Sequence, residues 1–466
     1  MKEEIAELFR KTYGEMPDCF TPVAPHGSSR TYYRVGNAKH TVVAAYNADE
    51  KENRAFVDFA KQLRQRGVNV PEIMAEDLEH GIYLQEDLGD RTLFDFIKTA
   101  SPEEIRQTYK RIVRELPRLQ ITATKGFDYT NAYPRKRFDA QSIRWDLNYF
   151  KYYFLKLADI PFSEDELEKD FDTLTHYLLD TDTSFFLYRD FQSRNIMLKE
   201  GEIFFIDFQG ARQGALHYDL ASLLYDAKAD LSEELRKELL QTYMEELKKL
   251  IPVDEQEFID RFYAYVYIRI MQATGSYGYR GWFQQKTHFL QSIPFALDNL
   301  SRLQNAKRLK PNLPCLDRIF DRMVCNEKLR QLGSDTYRLT ITIKSFSYKK
   351  GYPHDISGNG GGYIFDCRCL PNPGRYEQYK QMTGKDAEVI AFLEKEPEVE
   401  EFYAAAKSLV MQSIRRYKQR HFTNLSVYFG CTGGRHRSVY MAQRLATELQ
   451  KDEELDVQVS HVEQNG

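Results

Sequence analysis

The segment Leu187-Tyr-Arg-Asp-Phe-Gln-Ser-Arg-Asn-Ile-Met-Leu198, followed closely by Ile206-Asp-Phe-Gln-Gly-Ala211, constrains this chain more than any other part of it. Two apolar runs, around Phe185–Tyr188 and Ile203–Asp207, read as short strands. The polar residues that follow them sit at fixed offsets: Asn195 lies five residues after Asp190, and Asp207 ends the second run. Phosphoryl transfer to a hydroxyl needs such a set. One carboxylate accepts or orients the hydroxyl proton, while an amide oxygen and a second carboxylate share a divalent cation beside the nucleotide phosphates. Asp190 fits the first role, and Asn195 and Asp207 fit the other two. Either aspartate alone would read as a turn or cap residue. Their joint spacing in a strand–loop–strand context points to catalysis.

A chain of 466 residues exceeds what one core organises, so two or three domains are expected. Lys and Arg number 65 against 69 Asp and Glu, a net charge of −4 that argues against a general polyanion binder. No apolar run approaches the ~18 residues of a membrane span. The opening MKEEIAELFRKTYG is amphipathic and has no signal-peptide core. Cys19, Cys315, Cys325, Cys367, Cys369 and Cys431 are too scattered for a disulfide framework. These features place the protein in a reducing cytoplasm with no membrane partner. Cys367 and Cys369 fall in a strand-like run, Tyr363 to Leu370, where alternation puts both on one face. No second pair at zinc-site spacing follows, so no metal role is assigned to them.

Three textures divide the chain. Residues 20–100 read as β-rich, with strands at Thr31–Val35, His40–Tyr46 and Gly81–Glu86 and a helix from about Asp49 to Arg66. Residues 101–305 read as mainly helical. A Pro-punctuated connector ending at Pro314 and a short helix fill 306–334. From residue 335, strand–loop–helix alternation opens with a strand over Arg338–Phe346 and a loop rich in glycine (Gly358, Gly360, Gly361, Gly362).

The catalytic segment matches the protein-kinase set H-R-D…N and D-F-G, with Tyr188 where kinases commonly carry His. The first 305 residues resemble the aminoglycoside/choline-type phosphotransferases. More narrowly, they resemble the bacterial N-acetylmuramate/N-acetylglucosamine anomeric kinases of cell-wall recycling. Besides the catalytic loop, the resemblance rests on three segments: Gly67-Val-Asn-Val-Pro-Glu-Ile73 leading into Tyr83-Leu-Gln-Glu-Asp-Leu-Gly-Asp-Arg-Thr-Leu93, the run Ser28-Ser-Arg-Thr-Tyr-Tyr-Arg34, and His217-Tyr-Asp-Leu-Ala-Ser222. It implies an α+β, protein-kinase-like bilobal domain, with the N-lobe at about 1–88 and the C-lobe at 89–305. It also implies ATP as co-substrate with Mg. In that reading Ser28, Ser29, Glu86 and Leu88 bind ATP and Asp219 braces the catalytic loop. The stretch Ser142–Phe150 falls where this superfamily recognises its acceptor, giving Asp146 and Asn148 that role.

Departures from the pattern matter. No G-x-G-x-x-G loop is present, only Gly27 and two serines, and Val42-Val-Ala-Ala-Tyr46 lacks the β3 lysine. Arg30, Tyr32 and Arg34 share one strand face, so either arginine could supply the missing cation, and Arg34 is the residue assigned here to offset phosphate charge. Without the lysine, no role is assigned to Glu50 or Glu52. An inactive kinase lobe stays open as an alternative.

Residues 425–439 combine a buried strand, a glycine turn and a helix start carrying Arg435, His436, Arg437 and Ser438. Backbone N–H groups at such a turn, together with guanidinium forks, form an anion site. Cys431 and Arg437 also have the C-x5-R spacing of cysteine phosphatases, although a binding nest without chemistry demands fewer partners. Residues 335–463 resemble the C-terminal domain of the RNase adapter RapZ. The matches are Lys344-Ser-Phe-Ser-Tyr-Lys-Lys-Gly-Tyr-Pro353, Phe365-Asp-Cys-Arg-Cys-Leu-Pro-Asn-Pro373 and Gly430-Cys-Thr-Gly-Gly-Arg-His-Arg-Ser438. The resemblance implies a small α/β domain over 335–466 that binds a sugar-phosphate effector through Thr432, Gly433, Arg437 and nearby Lys350, and RNA as a further partner. No P-loop motif accompanies it. From residue 335 onward 18 Lys and Arg face 17 Asp and Glu, which leaves no broad basic surface.

Both halves point to phosphorylated amino sugars. The expected function is an ATP-dependent phosphotransferase acting on a sugar hydroxyl, fused to a domain sensing amino-sugar phosphates. The alternatives are an RNA-binding regulatory adapter whose kinase lobe acts as a nucleotide switch, and an antibiotic-modifying enzyme.

Overall fold

Residues 1–23, 30–332, 338–353, 362–419, 422 and 424–464 are described by the structure, a computed structural model. Ser28, Ser29 and the glycines at 358, 360 and 361 lie outside the described residues. An amphipathic helix α1 (Lys2–Tyr13) leads into strands β1 (Cys19–Pro22), β2 (Thr31–Gly36) and β3 (Thr41–Tyr46), then helix α2 (Glu50–Gln65) and strands β4 (Ile73–Asp77) and β5 (Ile82–Glu86). The five strands form one antiparallel sheet in the order β1-β2-β3-β5-β4. Alternation sorts its faces. Val35, Val42, Ala44, Ile82 and Leu84 pack with Ile5 and Phe9 of α1. The opposite face carries Tyr83, whose ring stacks on Phe56 of α2 at 5.1 Å. The Asp49 carboxylate starts α2 by accepting the Glu52 N–H at 3.1 Å.

A helical lobe follows: α3 (Leu93–Ile97), α4 (Pro102–Pro117), α5 (Ala140–Phe150) and α6 (Glu164–Leu179). Two small antiparallel pairs then intervene. Strand β6 (Phe185–Leu187) binds the later β9 (Arg212–Gly214), and between them β7 (Ile196–Lys199) binds β8 (Glu202–Phe205). Helices α7 (His217–Leu224), α8 (Glu233–Lys248), α9 (Glu255–Gly278) and α10 (Ile293–Asn305) complete the lobe. Helix α9 is apolar on nearly every side, and α5 packs against it so closely that a Cβ at Gly275 would meet the Phe150 nitrogen and the Tyr149 carbonyl carbon, both at 2.9 Å. Asp207 does not end the strand as the sequence suggested. Strand β8 stops at Phe205, and Asp207 sits beyond it with φ 68°.

The chain divides into one compact unit of Met1–Tyr279 with Ser292–Arg330 and a second of Arg280–Gln291 with Gln331–Gly466. The expected linker 306–334 is therefore corrected. Helices α11 (Pro314–Val324) and α12 (Glu327–Arg330) belong to the first unit, because α11 buries Cys315, Leu316, Ile319, Phe320 and Met323 as one stripe. Phe320 stacks on Tyr267 of α9 at 5.5 Å, and the Leu316 N–H donates to Asp170 of α6 at 2.8 Å.

In the second unit, strands β10 (Leu339–Ser347) and β11 (Gly362–Asp366), helices α13 (Ala387–Glu394) and α14 (Pro397–Gln419), strand β12 (Asn424–Cys431), helix α15 (Arg437–Leu449) and strand β13 (Leu455–His461) succeed one another. The sheet is wholly parallel in the order β11-β12-β10-β13. Its core joins Ile341, Ile343, Val427 and Phe429 to Met441, Ala442 and Leu445 of α15 and Val410 and Ile414 of α14. The expected strand through Cys367 and Cys369 is a second correction. Asp366 ends β11 by accepting the Arg368 N–H at 2.9 Å, and residues 367–369 form a 3-10 turn with Cys367 buried and Cys369 exposed. All six cysteines are free thiols.

Candidate functional site

The catalytic segment folds as the loop between β6 and β7 and meets the turn after β8. Asn195 is buried, and its amide N–H group donates to the Asp190 carbonyl at 2.8 Å and to Asp207 Oδ2 at 3.3 Å. Asp207 Oδ1 accepts from Gln209 Nε2 at 2.7 Å. The Asp190 carboxylate is half-buried and lies beside Gly210. Arg189, with φ 86°, and Asp207 both occupy the left-handed region, which costs of order 1–3 kcal/mol per non-glycine residue and concentrates at functional turns. Withdrawal from solvent and then the neighbouring Asp190 charge push the Asp207 carboxyl above the ordinary range, against the lowering effect of Gln209 and Arg30.

Buried Asp219, in the first turn of α7, holds this arrangement. Its Oδ2 accepts the Tyr188 N–H at 2.8 Å and Gln120 Nε2 at 3.1 Å, and its Oδ1 accepts the Arg189 N–H at 3.0 Å. Burial nevertheless pushes its carboxyl up to about 6, against those three hydrogen bonds. Tyr188, in the position of the kinase His, donates its hydroxyl to the Ile206 carbonyl next to Asp207. One backbone acceptor thus ties the two catalytic turns together.

Two assignments from the sequence change. Arg34 is already held by carboxylates at the hinge. Cross-strand register places it opposite Val43, which pairs in turn with Gln85 next to the hinge. Its guanidinium therefore reaches Asp87 at 2.6 and 3.1 Å and Asp90 at 2.9 Å. Asp146 is not an open acceptor ligand either. Its two oxygens bind Arg189 at 2.6 and 2.7 Å, and the pair is buried. Asn148, two residues along α5 and so on a different face, is half-buried, and Trp145 is exposed beside Arg135. At the hinge, Lys199 Nζ donates to Glu86 Oε1 and to the Asp87 carbonyl, both at 3.0 Å, while Leu88 is buried. Sequence reasoning made no assignment for Glu52, which faces Arg30 at 3.2 Å. The shared strand face of Arg30 and Arg34 was the only available signal, and it could not say which of the two turns inward.

The glycine turn of the second unit lies at the carboxyl ends of adjacent strands β10 and β12, where parallel sheets bind ligands. Thr432 and Gly433 are exposed. The Ser347 hydroxyl donates to the Thr432 carbonyl at 2.8 Å and fixes the turn. Buried Cys431 has its sulfur 3.1 Å from the Ser438 hydroxyl. Burial pushes the thiol up, but the Ser438 hydroxyl and N–H, the Arg437 charge and the Gly434 N–H outweigh that and lower it. Arg437 Nη1 donates to the carbonyls of Arg368 and Leu370, both at 3.0 Å, while its Nε has no hydrogen-bond partner among the described residues. The irregular 367–382 segment needs donors for its carbonyls, and Arg435 and His436 serve it too, at Gln381, Met382 and Tyr379. Lys350 is exposed and pairs with Glu463 at 2.6 Å, not with the turn.

Residues 20–252, half of the chain, match the family described as "Phosphotransferase enzyme family". The chain belongs to this family. Residues 339–465 match the RapZ C-terminal domain, so a phosphotransferase domain and a RapZ C-terminal domain share one polypeptide. The phosphotransferase domain has the kinase-like α+β fold, and the parallel-sheet domain is separate from it. Curated relatives include a nucleotide-binding protein of Thioalkalivibrio sulfidiphilus (strain HL-EbGR7), 34% identical over 137 residues, which are 29% of this chain and 46% of that protein. Another is a nucleotide-binding protein of Halorhodospira halophila (strain DSM 244 / SL1), 42% identical over 113 residues, 24% of this chain and 38% of that protein. The chain thus spans less than half the length of these two relatives. Similar solved structures include choline kinase from Cryptosporidium parvum Iowa II (13% identity, 69% of this chain and 100% of that chain, TM-score 0.47) and Plasmodium vivax ethanolamine kinase (13% identity, 62% and 84%, TM-score 0.45). Among the described residues no helix is long and apolar enough to cross a membrane.

Proposed function

We propose that the protein is an ATP- and magnesium-dependent phosphotransferase that phosphorylates a hydroxyl of an amino sugar in a reducing cytoplasm. In the same chain, its RapZ C-terminal domain binds an amino-sugar phosphate as effector. The observation that carries this reading is the convergence of Asp190, Asn195 and Asp207 on two turns, the first fixed by Asp219 and joined to the second by Tyr188. The Asn195 amide nitrogen lies 3.3 Å from Asp207 Oδ2, and the remaining side-chain oxygens of the two residues are hard donors of the kind magnesium takes. Asn195 and Asp207 would hold the ion, which when bound offsets the charge of the transferring phosphoryl group. The backbone at Glu86 and Leu88 would meet the adenine edge, and Ser28 and Ser29 would cover the phosphates. Asp190 takes the proton of the acceptor hydroxyl as that oxygen attacks the γ-phosphorus and the bond to the β,γ-bridging oxygen breaks, releasing ADP.

In the C-terminal domain, the exposed Thr432 and Gly433 backbone would bind the phosphate of the effector. Arg437 would hold the 368 and 370 carbonyls with Nη1 and offer its Nε to the phosphate.

The test is ADP release by the full chain with ATP, magnesium and a panel of amino sugars and aminoglycosides. We expect sugar-dependent release that falls by about 10²–10⁴ in Asp190→Ala, the usual worth of a positioned general base. Release no greater than that of Asp190→Ala would refute the reading.

A further inference from the structure

We propose that Arg30 is the positioning cation of the nucleotide site, taking over from strand β2 the role that kinases give to a lysine on β3. The inference rests on the phosphotransferase reading and adds a residue to it. In kinases the β3 lysine joins a glutamate of the following helix to the α- and β-phosphates, and that ion pair must be in place for transfer. Strand β3 has no lysine here. Its core-facing residues are Val42 and Ala44, which pack under α1, so Val43 and Ala45 turn to the α2 side. Ala45 pairs with Tyr32 on β2 and Tyr83 on β5. The β3 position that faces the cleft is therefore occupied by a methyl group.

A guanidinium comes in from the neighbouring strand instead. Arg30 stands one residue ahead of β2, and its side chain is 0% exposed. Its Nη2 lies 3.2 Å from Glu52 Oε1 on α2, and its Nη1 lies 3.9 Å from Asp207 Oδ1 across the cleft. The guanidinium covers the ring of Phe56 at 5.5 Å, and that ring stacks on Phe208, next to Asp207, at 4.7 Å. Asn47 Nδ2 holds the other Glu52 oxygen at 2.8 Å, which fixes the carboxylate toward Arg30. A buried cation is costly unless carboxylates and hydrogen bonds compensate it. Here one arginine lies between the helix glutamate of the N-lobe and Asp207, the aspartate assigned to the metal beside the phosphates, so it stands where a kinase lysine joins its glutamate to those phosphates. An arginine also suits the more distant starting point. It reaches further than a β3 side chain needs to, and its planar fork can keep Glu52 on one amino group while the other meets a phosphate oxygen.

The test uses the full chain carrying Arg30→Met, Arg30→Lys, Glu52→Gln or the double change Arg30→Ala/Ala45→Lys. It reads the dissociation constant of MgADP by calorimetry, KM for ATP and for the sugar, kcat, and the melting temperature. We expect Arg30→Met to weaken MgADP binding and raise KM for ATP by about tenfold or more while leaving KM for the sugar within about twofold. Arg30→Lys and the double variant, which restore a cation to the site, should each recover at least about threefold of the loss. Glu52→Gln should lower kcat more than it changes MgADP affinity, because the cation stays but loses its anchor. MgADP bound as tightly by folded Arg30→Met as by the wild type would overturn the proposal. If Arg30→Met melts early, a wild-type kcat in folded Glu52→Gln would overturn it as well. Wild-type protein that binds MgADP but transfers no phosphoryl group would defeat the kinase reading alone, since the loss of MgADP affinity in Arg30→Met would still be measured.

Discussion

His217 is buried flat between two rings, 4.1 Å from Phe258 and 5.3 Å from Tyr265, and neither of its ring nitrogens has a hydrogen-bond partner. Burial and then the Arg261 charge hold its value down at about 3. The unfolded chain protonates His217 near 6.5 and the native state does not, so this residue's contribution is complete above about pH 6.5 and is lost as the pH falls toward 3. Between pH 7 and pH 5 that loss amounts to about 2 kcal/mol. His217→Phe, which keeps the stack, should lose about 2 kcal/mol less than the wild type over the same interval by urea unfolding. Parallel acid profiles would contradict this. At the same scale, the backbone acceptor Asp219 was legible in the sequence because its neighbours His217, Leu220 and Ala221 complete a recognisable segment. Arg34 was not, because the acids that claim it, Asp87 and Asp90, lie more than fifty residues further along the chain.

Among elements, α5 decides how firmly the catalytic loop is seated. Its Asp146 grips Arg189, the residue before the proposed general base Asp190, and the Arg189 guanidinium also meets the Tyr218 hydroxyl of α7. Removing one partner of a buried pair leaves an uncompensated charge and costs about 3 kcal/mol or more. Asp146→Asn should therefore lower the melting temperature and reduce kcat, with KM for the sugar changed by less than about twofold. An unchanged melting temperature with a raised sugar KM would return Asp146 to the acceptor site, as the sequence alone suggested. Helix spacing identified α5, but it could not reveal that the acceptor-like carboxylate already had a partner 43 residues away. Three of the five strands of the first sheet, β2, β3 and β5, were legible to within about a residue, whereas β1 and β4 were not assigned. The run through Cys367 and Cys369 misled because Asp366 caps the strand with its own side chain, which an apolar pattern does not register.

In the molecule as a whole, each compact unit carries its own candidate ligand site, so ligands should stabilise the chain separately. MgADP at about 100 times its dissociation constant should stabilise the phosphotransferase unit by about 2.7 kcal/mol, and an amino-sugar phosphate should do likewise for the RapZ C-terminal domain. Gly433→Trp, placed on the exposed turn, should abolish the sugar-phosphate shift and leave the MgADP shift intact. Loss of both shifts in that variant would contradict two separate sites. The division itself was only partly readable from the sequence. The prolines ending at Pro314 look like a boundary, whereas the apolar stripe of α11 draws residues 314–330 into the first unit. The central claim is that Asp190 delivers a sugar hydroxyl to the terminal phosphate of ATP. It is tested most directly by mass spectrometry of the amino sugar after incubation with the full chain, ATP and magnesium. The account predicts a monophosphorylated sugar with the wild type and unmodified sugar with Asp190→Ala. Unmodified sugar from both, or equal phosphorylation by both, would contradict it.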